Sequence, residues 1–412
     1  MTGLSGVMQF LNEVAEDYPQ AISFASGRPA DSFFDVNGWL HAIPRFLQQM
    51  NGHTDASRKI GQYGRTAGLI NDLIAAQLRV DEGIPCDADR VVVTAGCQEA
   101  LALCLQTLCA KPGDVLLTRN PTYIGATGIA QLSNIEVAAL DLRDDEDCAA
   151  VIHDAVGRLA AEDRRARALY LIPQFDNPTG TVMPESQRRA LLDACAAHGI
   201  VILEDNAYGM FRYEGRAEPA MASLDQRGCV IYLGTYSKTL CPAVRVGCAV
   251  LPATLFGDAA ASRSLYVELV ERKSFLTVNT SQLNQALVGG VLLSEGGSLQ
   301  RLVAEPRAFY QRNRDLVTQQ LASTFHGRED VRWNRPQGGF FLSVQLPIRF
   351  GAAEMVECAA DYGVVVMPMS YFALDDSQDR CVRIAFSSQT PDEIATGIAS
   401  FGRYVDDRLA RT

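Results

Sequence analysis

The sequence lacks the features that would direct a chain to a membrane or to a nucleic acid. No apolar run is long enough to span a bilayer, and residues 1–6 show no basic segment followed by an apolar one. Basic residues are too few to balance the acidic ones, since 37 Lys and Arg stand against 48 Asp and Glu and leave a net charge of −11. An acidic chain argues against nucleic acid as a partner, although local arginines can still bind small anions. We therefore expect a soluble, cytoplasmic protein.

Paired cysteines are also missing. The 11 cysteines are an odd number, are scattered, and include no Cys-x-x-Cys pair. Several lie in apolar runs, such as Leu103-Cys104-Leu105. This pattern is typical of reduced, mostly buried thiols in a cytosolic protein. The chain also has no internal repeat and no Pro/Ser-rich linker, and we predict no metal site.

Continuous apolar strands alternate with helical patterns over the first 250 residues or so. The predicted strands are 90–94, 115–117, 168–172, 200–203, 229–233 and 247–251. The predicted helices include 67–80, before the first of these strands, and 95–109 and 184–198 between them. This alternation is typical of a mostly parallel sheet with helices on both faces. Ligands of such α/β sheets bind at the carboxyl ends of the strands. The unusual polar clusters of this chain all follow such strand ends.

The pattern changes after Leu251. The sequence then predicts helices at 258–273 and 281–325, a hairpin of 331–334 with 340–344, a helix at 352–362, strands at 364–367 and 382–386, and a last helix at 391–404. This reads as a smaller α+β domain. We predict a short helix at 7–18 within an N-terminal segment of residues 1–45, a large domain of 46–285 and a small domain of 286–412.

Lys238 follows the predicted strand 229–233 in the stretch GTYSKTLCPAVRVG. A lysine at the end of a buried strand can be desolvated, and a neutral amine can condense with a carbonyl to form a Schiff base. Thr235, Ser237 and Arg245 stand close by in sequence and could clamp a phosphate. The alternative is a surface lysine in a loop. The other motifs of the chain are needed to distinguish these two interpretations.

Two further strand ends carry groups that suit an anion and a cation. Gly96, Cys97 and Gln98 open a helix after a strand, where free backbone N–H groups bind phosphate. Asp205 comes two residues after the apolar run 200–203. Burying a carboxylate there costs free energy unless it is paired, for example with a protonated ring nitrogen. An ordinary tight turn and a capping aspartate are the alternatives.

Four more polar positions suit an aromatic, acidic ligand. Asn177 and Tyr208 can hydrogen-bond a phenolic oxygen, and Tyr123 could stack on an aromatic ring. Arg383 interrupts a β-branched run and could bind a carboxylate through its planar fork. Each of these, taken alone, could also be a turn, core or solvent-facing residue.

In their order along the chain, these motifs resemble those of fold-type-I pyridoxal-phosphate enzymes, in the class I/II aminotransferase family. The resemblance extends from about Ile22 to Tyr404. It implies the cofactor pyridoxal 5'-phosphate, bound covalently by Lys238, with Lys238, Asp205 and Tyr208 as the catalytic residues. It implies a cofactor site made of Tyr63, Gly96, Cys97, Gln98, Tyr123, Asn177, Asp205, Tyr208, Thr235, Ser237, Lys238 and Arg245. The family often has serine where Cys97 stands, so the backbone N–H is the surer donor there.

The resemblance also implies where the substrate binds. Arg383 would take the α-carboxylate, with Asn177, Gly27 and Arg28 beside it, and Tyr371 would help to select the side chain. The stretch 23–29 is similar to the aminoadipate and aromatic branch, in which the N-terminal segment closes over the substrate. Other stretches, such as 332–341, are similar to aminotransferases that supply arylglycines to secondary metabolism.

Tyr63 resembles the tyrosine that reaches the phosphate of a neighbouring subunit in this family. The resemblance therefore implies a homodimer with shared active sites, acting on an amino acid and a 2-oxo acid. Two alternatives remain open at this point. The same fold supports lyases, decarboxylases and oxidases, which can be distinguished from transamination by measuring keto-acid formation against ammonia release. A non-catalytic regulator would need an added DNA-binding domain.

Overall fold

The computed structural model describes residue 14 and residues 16–50, 58–142 and 147–411. Most of the helix predicted at 7–18 lies outside these residues. The strands are β1 (Ile22–Ser23), β2 (Val91–Thr94), β3 (Asp114–Arg119), β4 (Glu136–Leu140), β5 (Arg165–Leu171), β6 (Val201–Asp205), β7 (Val230–Thr235), β8 (Gly247–Val250), β9 (Arg332–Trp333), β10 (Phe341–Gln345), β11 (Val364–Val365), β12 (Met367–Pro368) and β13 (Cys381–Ala385). The α-helices are Val36–Gln49, Asn71–Asp81, Cys97–Leu108, Ile124–Leu132, Cys148–Ala161, Glu185–Ala197, Met221–Leu224, Ala259–Leu276, Gln282–Ser294, Ala304–Thr324, Ala352–Tyr362 and Pro391–Ala410.

Seven strands form the central sheet, in the order β2-β8-β7-β6-β5-β3-β4. Only β8 runs antiparallel to its neighbours, β2 and β7, and the other pairs are parallel. Successive residues of β3 enter different hydrophobic clusters: Leu116 packs on one face, whereas Val115 and Leu117 pack on the other. Both faces are therefore covered, as continuous apolar strands require, and the predicted α/β architecture is confirmed.

The parallel register places the ends of β6 and β7 side by side. Asp205, the last residue of β6, pairs with Leu233 of β7. The chain leaves β7 at Thr235 and reaches Lys238 three residues later. The carboxyl edge of the sheet thus brings the predicted carboxylate and the predicted lysine to one place.

The C-terminal part forms a second, antiparallel sheet in the order β12-β13-β10-β9. The predicted hairpin is confirmed by the pairing of β9 with β10. Helices Ala304–Thr324 and Pro391–Ala410 contribute Val317, Leu321, Ile394 and Ile398 to its hydrophobic core. The expected smaller α+β unit is therefore present, while the exact division of the chain at residues 45 and 285 stays a prediction.

Two predicted elements of this part are wrong in their extent. The single helix expected over 281–325 is two helices, because Gly296 and Gly297 adopt φ values of 67° and 83° that end the first one. The single strand expected over 364–367 is split between sheets: Val365 pairs with Ser23 of β1, whereas Met367 pairs with Arg383 of β13. Pro368 lacks an N–H group and is accommodated because β12 is an edge strand.

The N-terminal strand is held by the C-terminal part of the chain. Ile22 and Ser23 pair in parallel with Val364 and Val365. This pairing directs the segment that follows, residues 24–28, towards the carboxyl edge of the central sheet. Within the described residues, no helix combines the length and the apolar character that a membrane crossing needs.

Candidate active site

A cradle of hydrogen-bond donors, of the kind that suits an anion, lies where β2 leads into helix Cys97–Leu108. Gly96 caps this helix with a φ of 80°, a conformation that favours glycine. A Cβ on Gly96 would lie 2.3 Å from Nη2 of Arg245, so only glycine allows the guanidinium to approach. The N–H groups of Cys97 and Gln98 follow in the first turn of this helix, where backbone donors bind phosphate.

Arg245 completes the cradle from the segment after Lys238. Its Nη1 donates to Oγ of Ser237 at 2.9 Å, and its Nη2 donates to the carbonyl of Ala95 at 3.1 Å. The Thr235 hydroxyl in turn donates to Ser237 Oγ at 3.0 Å. Arg245 is exposed and adopts a left-handed backbone with φ 44° and ψ 51°. An exposed guanidinium, two hydroxyls and a helix N-terminus are the donors that a phosphate requires.

Asp205 is buried beneath this cradle with one carboxylate oxygen unsatisfied. The hydroxyl of Tyr170 donates to Oδ2 at 2.8 Å, whereas Oδ1 accepts no hydrogen bond from the described part of the chain. Burial raises the pKa of Asp205 to about 6, although Tyr170 and the Cys97 thiol partly oppose this rise. A buried carboxylate with a free oxygen fits a protonated ring nitrogen, whose charge would favour the ionised form.

The sequence predicts a site role for Cys97 but none for Tyr170. A tyrosine inside an apolar strand looks like a core residue until the neighbouring strand, which carries Asp205, is placed beside it. Cys97 was singled out for its backbone N–H, and its thiol lies close enough to Asp205 to hydrogen-bond it. Burial and the Asp205 charge raise the pKa of the Cys97 thiol, which therefore stays protonated at neutral pH.

The Lys238 amine is half-buried and faces the N-terminal segment. Its Nζ donates to the carbonyl of Gly27 at 3.0 Å and lies 5.9 Å from the ring centroid of Tyr208. Burial and the charge of Arg383 lower its pKa from 10.5 to about 8, although Asp205 partly opposes this change. A sizeable fraction of the amine is thus neutral and nucleophilic near physiological pH.

Arg383 is a buried cation with no acidic partner among the described residues. Its Nη1 donates to Oδ1 of Asn177 at 2.7 Å, its Nη2 donates to the carbonyl of Ala25, and its Nε has no partner there. The guanidinium carbon lies 4.3 Å from the ring centroid of Phe341 and 4.7 Å from that of Phe372. Burial lowers the pKa of Arg383 to about 10. Such a group is suited to a carboxylate ligand.

Asn177 joins this arginine to Tyr208. The amide of Asn177 is within hydrogen-bonding reach of the Tyr208 hydroxyl and also accepts from Arg383. Burial raises the pKa of Tyr208, so its hydroxyl remains a donor. On the opposite side, the Tyr123 hydroxyl lies 3.4 Å from Oε1 of Gln98.

Two predicted site residues are not joined to the others by side-chain contacts. Tyr63 is 82% exposed. Arg28 has an exposed side chain, and it contributes its backbone carbonyl, which accepts from the Ser387 hydroxyl at 2.6 Å. Gly27, by contrast, lies inside the site and contacts Lys238 directly.

The arrangement fits pyridoxal phosphate on three counts. The cradle of Gly96, Ser237 and Arg245 suits a phosphate, the free oxygen of Asp205 suits a pyridinium N–H, and the amine of Lys238 suits an aldehyde. All three groups follow strand ends of one sheet. The unpartnered Oδ1 of Asp205 is the polar atom of this region that a pyridinium N–H of this cofactor would satisfy.

Comparison with known proteins agrees with this geometry. Residues 19–401 match the family described as aminotransferase class I and II. The chain is 39% identical over 415 residues to (S)-3,5-dihydroxyphenylglycine transaminase of Amycolatopsis orientalis, and this match covers 98% of this chain and 92% of the relative.

Solved structures of aminotransferases share the fold over nearly the whole chain. Kynurenine aminotransferase of Pyrococcus horikoshii superposes with a TM-score of 0.83 at 28% identity, covering 98% of this chain and 94% of that one. The alpha-aminoadipate aminotransferase of Thermus thermophilus, complexed with N-(5'-phosphopyridoxyl)-L-leucine, gives a TM-score of 0.79 at 27% identity, covering 100% and 98%. The chain therefore belongs to the class I and II aminotransferases, and it is a pyridoxal-phosphate-dependent transaminase.

Proposed function

We propose that the enzyme transfers the amino group of an aromatic, arylglycine-type α-amino acid to a 2-oxo acid. The observation that carries this proposal is the buried guanidinium of Arg383, which lies between the rings of Phe341 and Phe372. No carboxylate of the described residues neutralises it. A substrate α-carboxylate would supply the missing anion, and the adjacent rings offer an aromatic surface to the side chain.

The similarity to dihydroxyphenylglycine transaminase supports this substrate class. An arylglycine carries its ring directly on Cα, so the ring must lie close to the bound carboxylate. The ring centroids of Phe341 and Phe372 lie 4.3 Å and 4.7 Å from the guanidinium carbon of Arg383, close enough for contact with such a ring. We further propose that Arg28 and Tyr371 contribute to side-chain selection, and that arylglycine supply places the reaction in secondary metabolism.

Lys238 and Asp205 divide the proton chemistry. When bound, pyridoxal phosphate supplies a reactive carbonyl and an electron sink. Lys238 would hold the cofactor and would act as the base for the proton on the substrate Cα. Asp205, whose Oδ2 accepts from the Tyr170 hydroxyl and whose Oδ1 is unpartnered, would keep the ring nitrogen protonated.

The remaining predicted residues would bind and orient the cofactor. Asn177 and Tyr208 would hydrogen-bond the phenolic oxygen, and Tyr123 would stack on the ring. The phosphate would be held by Gly96, Cys97, Gln98, Thr235, Ser237 and Arg245. These groups lie on the two segments that follow β2 and end β7, which would bring them to one phosphate.

We also propose a homodimer in which Tyr63 completes the partner's site. Tyr63 is 82% exposed, and its neighbour Gly64 packs against Gln282, where a Cβ would lie 1.4 Å from Nε2. Large apolar side chains are exposed along the adjoining segment: Phe275 (83%), Leu276 (55%), Val278 (47%) and Leu283 (57%). Exposed apolar surface beside a site residue is typical of a subunit interface.

Mixed dimers test the shared site. Neither Tyr63→Ala nor Lys238→Ala should transaminate well alone, but mixed subunits should regain activity, because one of the two sites then has both residues. Mixtures no more active than their parents, or a monomer by light scattering, would refute the shared site.

A cytoplasmic location is part of the same proposal. Nine of the 11 cysteines are buried. Free, buried thiols are usual in a reducing compartment. The net charge of −11 also disfavours nucleic acid as a partner.

The substrate class is tested by a panel of amino donors added to the loaded enzyme without an acceptor. Conversion of the cofactor to its amine form shifts the absorbance from the visible edge to the near-ultraviolet. Phenylglycines should give the fastest shift, followed by phenylalanine, and aspartate should be slow. A preference for aspartate or another acidic donor would overturn the arylglycine assignment.

A further inference from the structure

A buried ion pair supports the phosphate cradle from behind. Lys273 lies on helix Ala259–Leu276 with a fully buried side chain, and its Nζ contacts Glu99 Oε2 at 2.8 Å and Oε1 at 3.0 Å. The Thr277 hydroxyl donates to Glu99 Oε1 at 2.6 Å. Neither Glu99 nor Lys273 belongs to the cofactor site described above.

Glu99 fixes the peptide group that opens the cradle. Its Oε2 accepts from the N–H of Ala95 at 2.5 Å. The carbonyl of Ala95 accepts from Nη2 of Arg245 at 3.1 Å. Ala95 is thus held on both sides, immediately before Gly96, where a Cβ would lie 2.3 Å from Nη2 of Arg245.

The Glu99 carboxylate that holds Ala95 also brings a negative charge close to the proposed phosphate site, and Lys273 offsets this charge. Glu99 stands in the first turn of helix Cys97–Leu108, at the helix end that would bind the phosphate dianion. An uncompensated carboxylate in that turn would repel the phosphate, and low local polarity would strengthen the repulsion. Lys273 brings the opposite charge into contact with both oxygens of Glu99.

We propose that Lys273 is a positioning residue for the cofactor phosphate, which neutralises Glu99 so that this carboxylate can anchor Ala95 without repelling the dianion. The inference rests on the proposed phosphate-binding role of Gly96 and Arg245. Lys273 itself touches neither cofactor nor substrate and acts through Glu99.

The test compares two ligands of the apoenzyme, pyridoxal phosphate and pyridoxal, which differ only in the phosphate. Dissociation constants are measured by quenching of protein fluorescence, without any turnover. The affinity for pyridoxal phosphate divided by the affinity for pyridoxal is the affinity ratio, and it reports the contribution of the phosphate cradle alone. Lys273→Met should lower this ratio by at least roughly tenfold, because it exposes the phosphate to the Glu99 charge. An unchanged ratio would overturn the proposal.

Glu99→Gln should act in the opposite direction. The amide oxygen can still accept from Ala95, whereas the negative charge is gone, so the preference for the phosphate form should be equal to wild type or higher. A lower preference would contradict the proposal, and this outcome can be read even if Lys273→Met fails to fold. The double variant Lys273→Met/Glu99→Gln should recover most of the loss of the single Lys273 variant.

Two controls separate the possible failures. Arg263→Met removes an exposed cation from the same helix as Lys273 and should leave the affinity ratio unchanged. Arg245→Met removes a proposed phosphate ligand and should collapse the ratio. If Arg245→Met leaves the ratio intact, the cradle itself is misassigned; if only Lys273→Met leaves it intact, the positioning role alone fails.

Discussion

The amine of Lys238 and the carbonyl of Gly27 are joined by a hydrogen bond of 3.0 Å, although 211 positions separate them in sequence. This bond attaches the N-terminal segment to the residue that follows the central strand β7. The contact depends on glycine, because a Cβ at position 27 would lie 2.1 Å from Cζ of Phe341.

Gly27→Ala should therefore impair turnover more than cofactor binding. The added methyl group would displace the Phe341 ring, which lies 4.3 Å from the guanidinium carbon of Arg383. We expect kcat/KM to fall by at least about tenfold, with the affinity for pyridoxal phosphate nearly unchanged. Steady-state kinetics and a cofactor titration measure the two effects. Gly157→Ala is the control, because its new Cβ would meet no described residue within 4 Å beyond its own helix, and wild-type kinetics for Gly27→Ala would refute the prediction.

Cofactor uptake should depend on pH through Lys238. Its pKa is lowered from 10.5 to about 8, first by burial and then by Arg383, so the neutral amine becomes more abundant as the pH rises through about 8. The rate at which the apoenzyme binds pyridoxal phosphate should rise over the same range. Arg383→Met removes one lowering influence and should move the midpoint to higher pH. A wild-type midpoint above about 10 would show an unperturbed lysine.

Asp205→Asn should stabilise the apoenzyme while weakening cofactor binding. Burial raises the pKa of Asp205 from 3.8 to about 6, so the native state binds more protons between these values and stability falls as the pH rises through them. At pH 7 the raised pKa lowers the free energy of unfolding by about 3 kcal/mol. Asparagine cannot ionise and therefore avoids this loss.

Urea unfolding of apoenzyme at pH 7 and pH 5 measures this effect. The gain in free energy of unfolding from Asp205→Asn should be about half as large at pH 5 as at pH 7. The native wild-type carboxyl is then largely protonated, so less is gained by removing its charge. Asp193→Asn, at a side chain 68% exposed, is the control. Equal stability of Asp205→Asn and wild type at both pH values would contradict the prediction.

Arg383→Lys should reduce amino-acid use sharply although it keeps the positive charge. Lysine cannot reproduce the planar fork that contacts Asn177, Ala25 and a carboxylate together. We expect kcat/KM for the preferred amino acid to fall about 100-fold, mainly through KM. Arg380→Lys, at an exposed position, serves as the control. A loss below about threefold would exclude Arg383 as the carboxylate ligand.

Tyr170→Phe should weaken cofactor binding through Asp205. The Tyr170 hydroxyl hydrogen-bonds Oδ2 and lowers the pKa of Asp205, so its removal should raise that pKa further. We expect several-fold weaker binding of pyridoxal phosphate near pH 6, corresponding to about 1 kcal/mol for one hydrogen bond. The deficit should shrink at pH 8, and Tyr362→Phe, which removes a hydroxyl bonded to Asp407, should behave as wild type. A pH-independent deficit would instead indicate a packing defect.

Strand ends account for most of what the sequence predicts successfully about the fold and the grouping of polar residues. A continuous apolar run that ends in a polar residue marks both a buried strand and its carboxyl end, as for Asp205 and for the strand before Lys238. The same reasoning leads to the central sheet, which the structure confirms. The roles assigned to those residues remain predictions.

Features that depend on distant neighbours could not be predicted in this way. Glu99 and Lys273 are 174 positions apart, and each reads alone as an ordinary helix residue. The sequence does not predict strand β4 (Glu136–Leu140), because alanine and glutamate, which make up three of its five residues, are depleted in strands. It is an edge strand that buries only its last residue. Helix Val36–Gln49 contains Pro44, which weakens its helical signal.

Strand β1 is only two residues long, yet it directs the carbonyls of Ala25 and Gly27 towards Arg383 and Lys238. Its pairing with β11 means that this peptide is supported by the C-terminal part of the chain, whereas the phosphate cradle is supported by the central sheet. We therefore expect substitutions in the short peptide to change which amino acids are used more than they change cofactor binding. Substrate range and cofactor chemistry would then depend on separate supports within one fold.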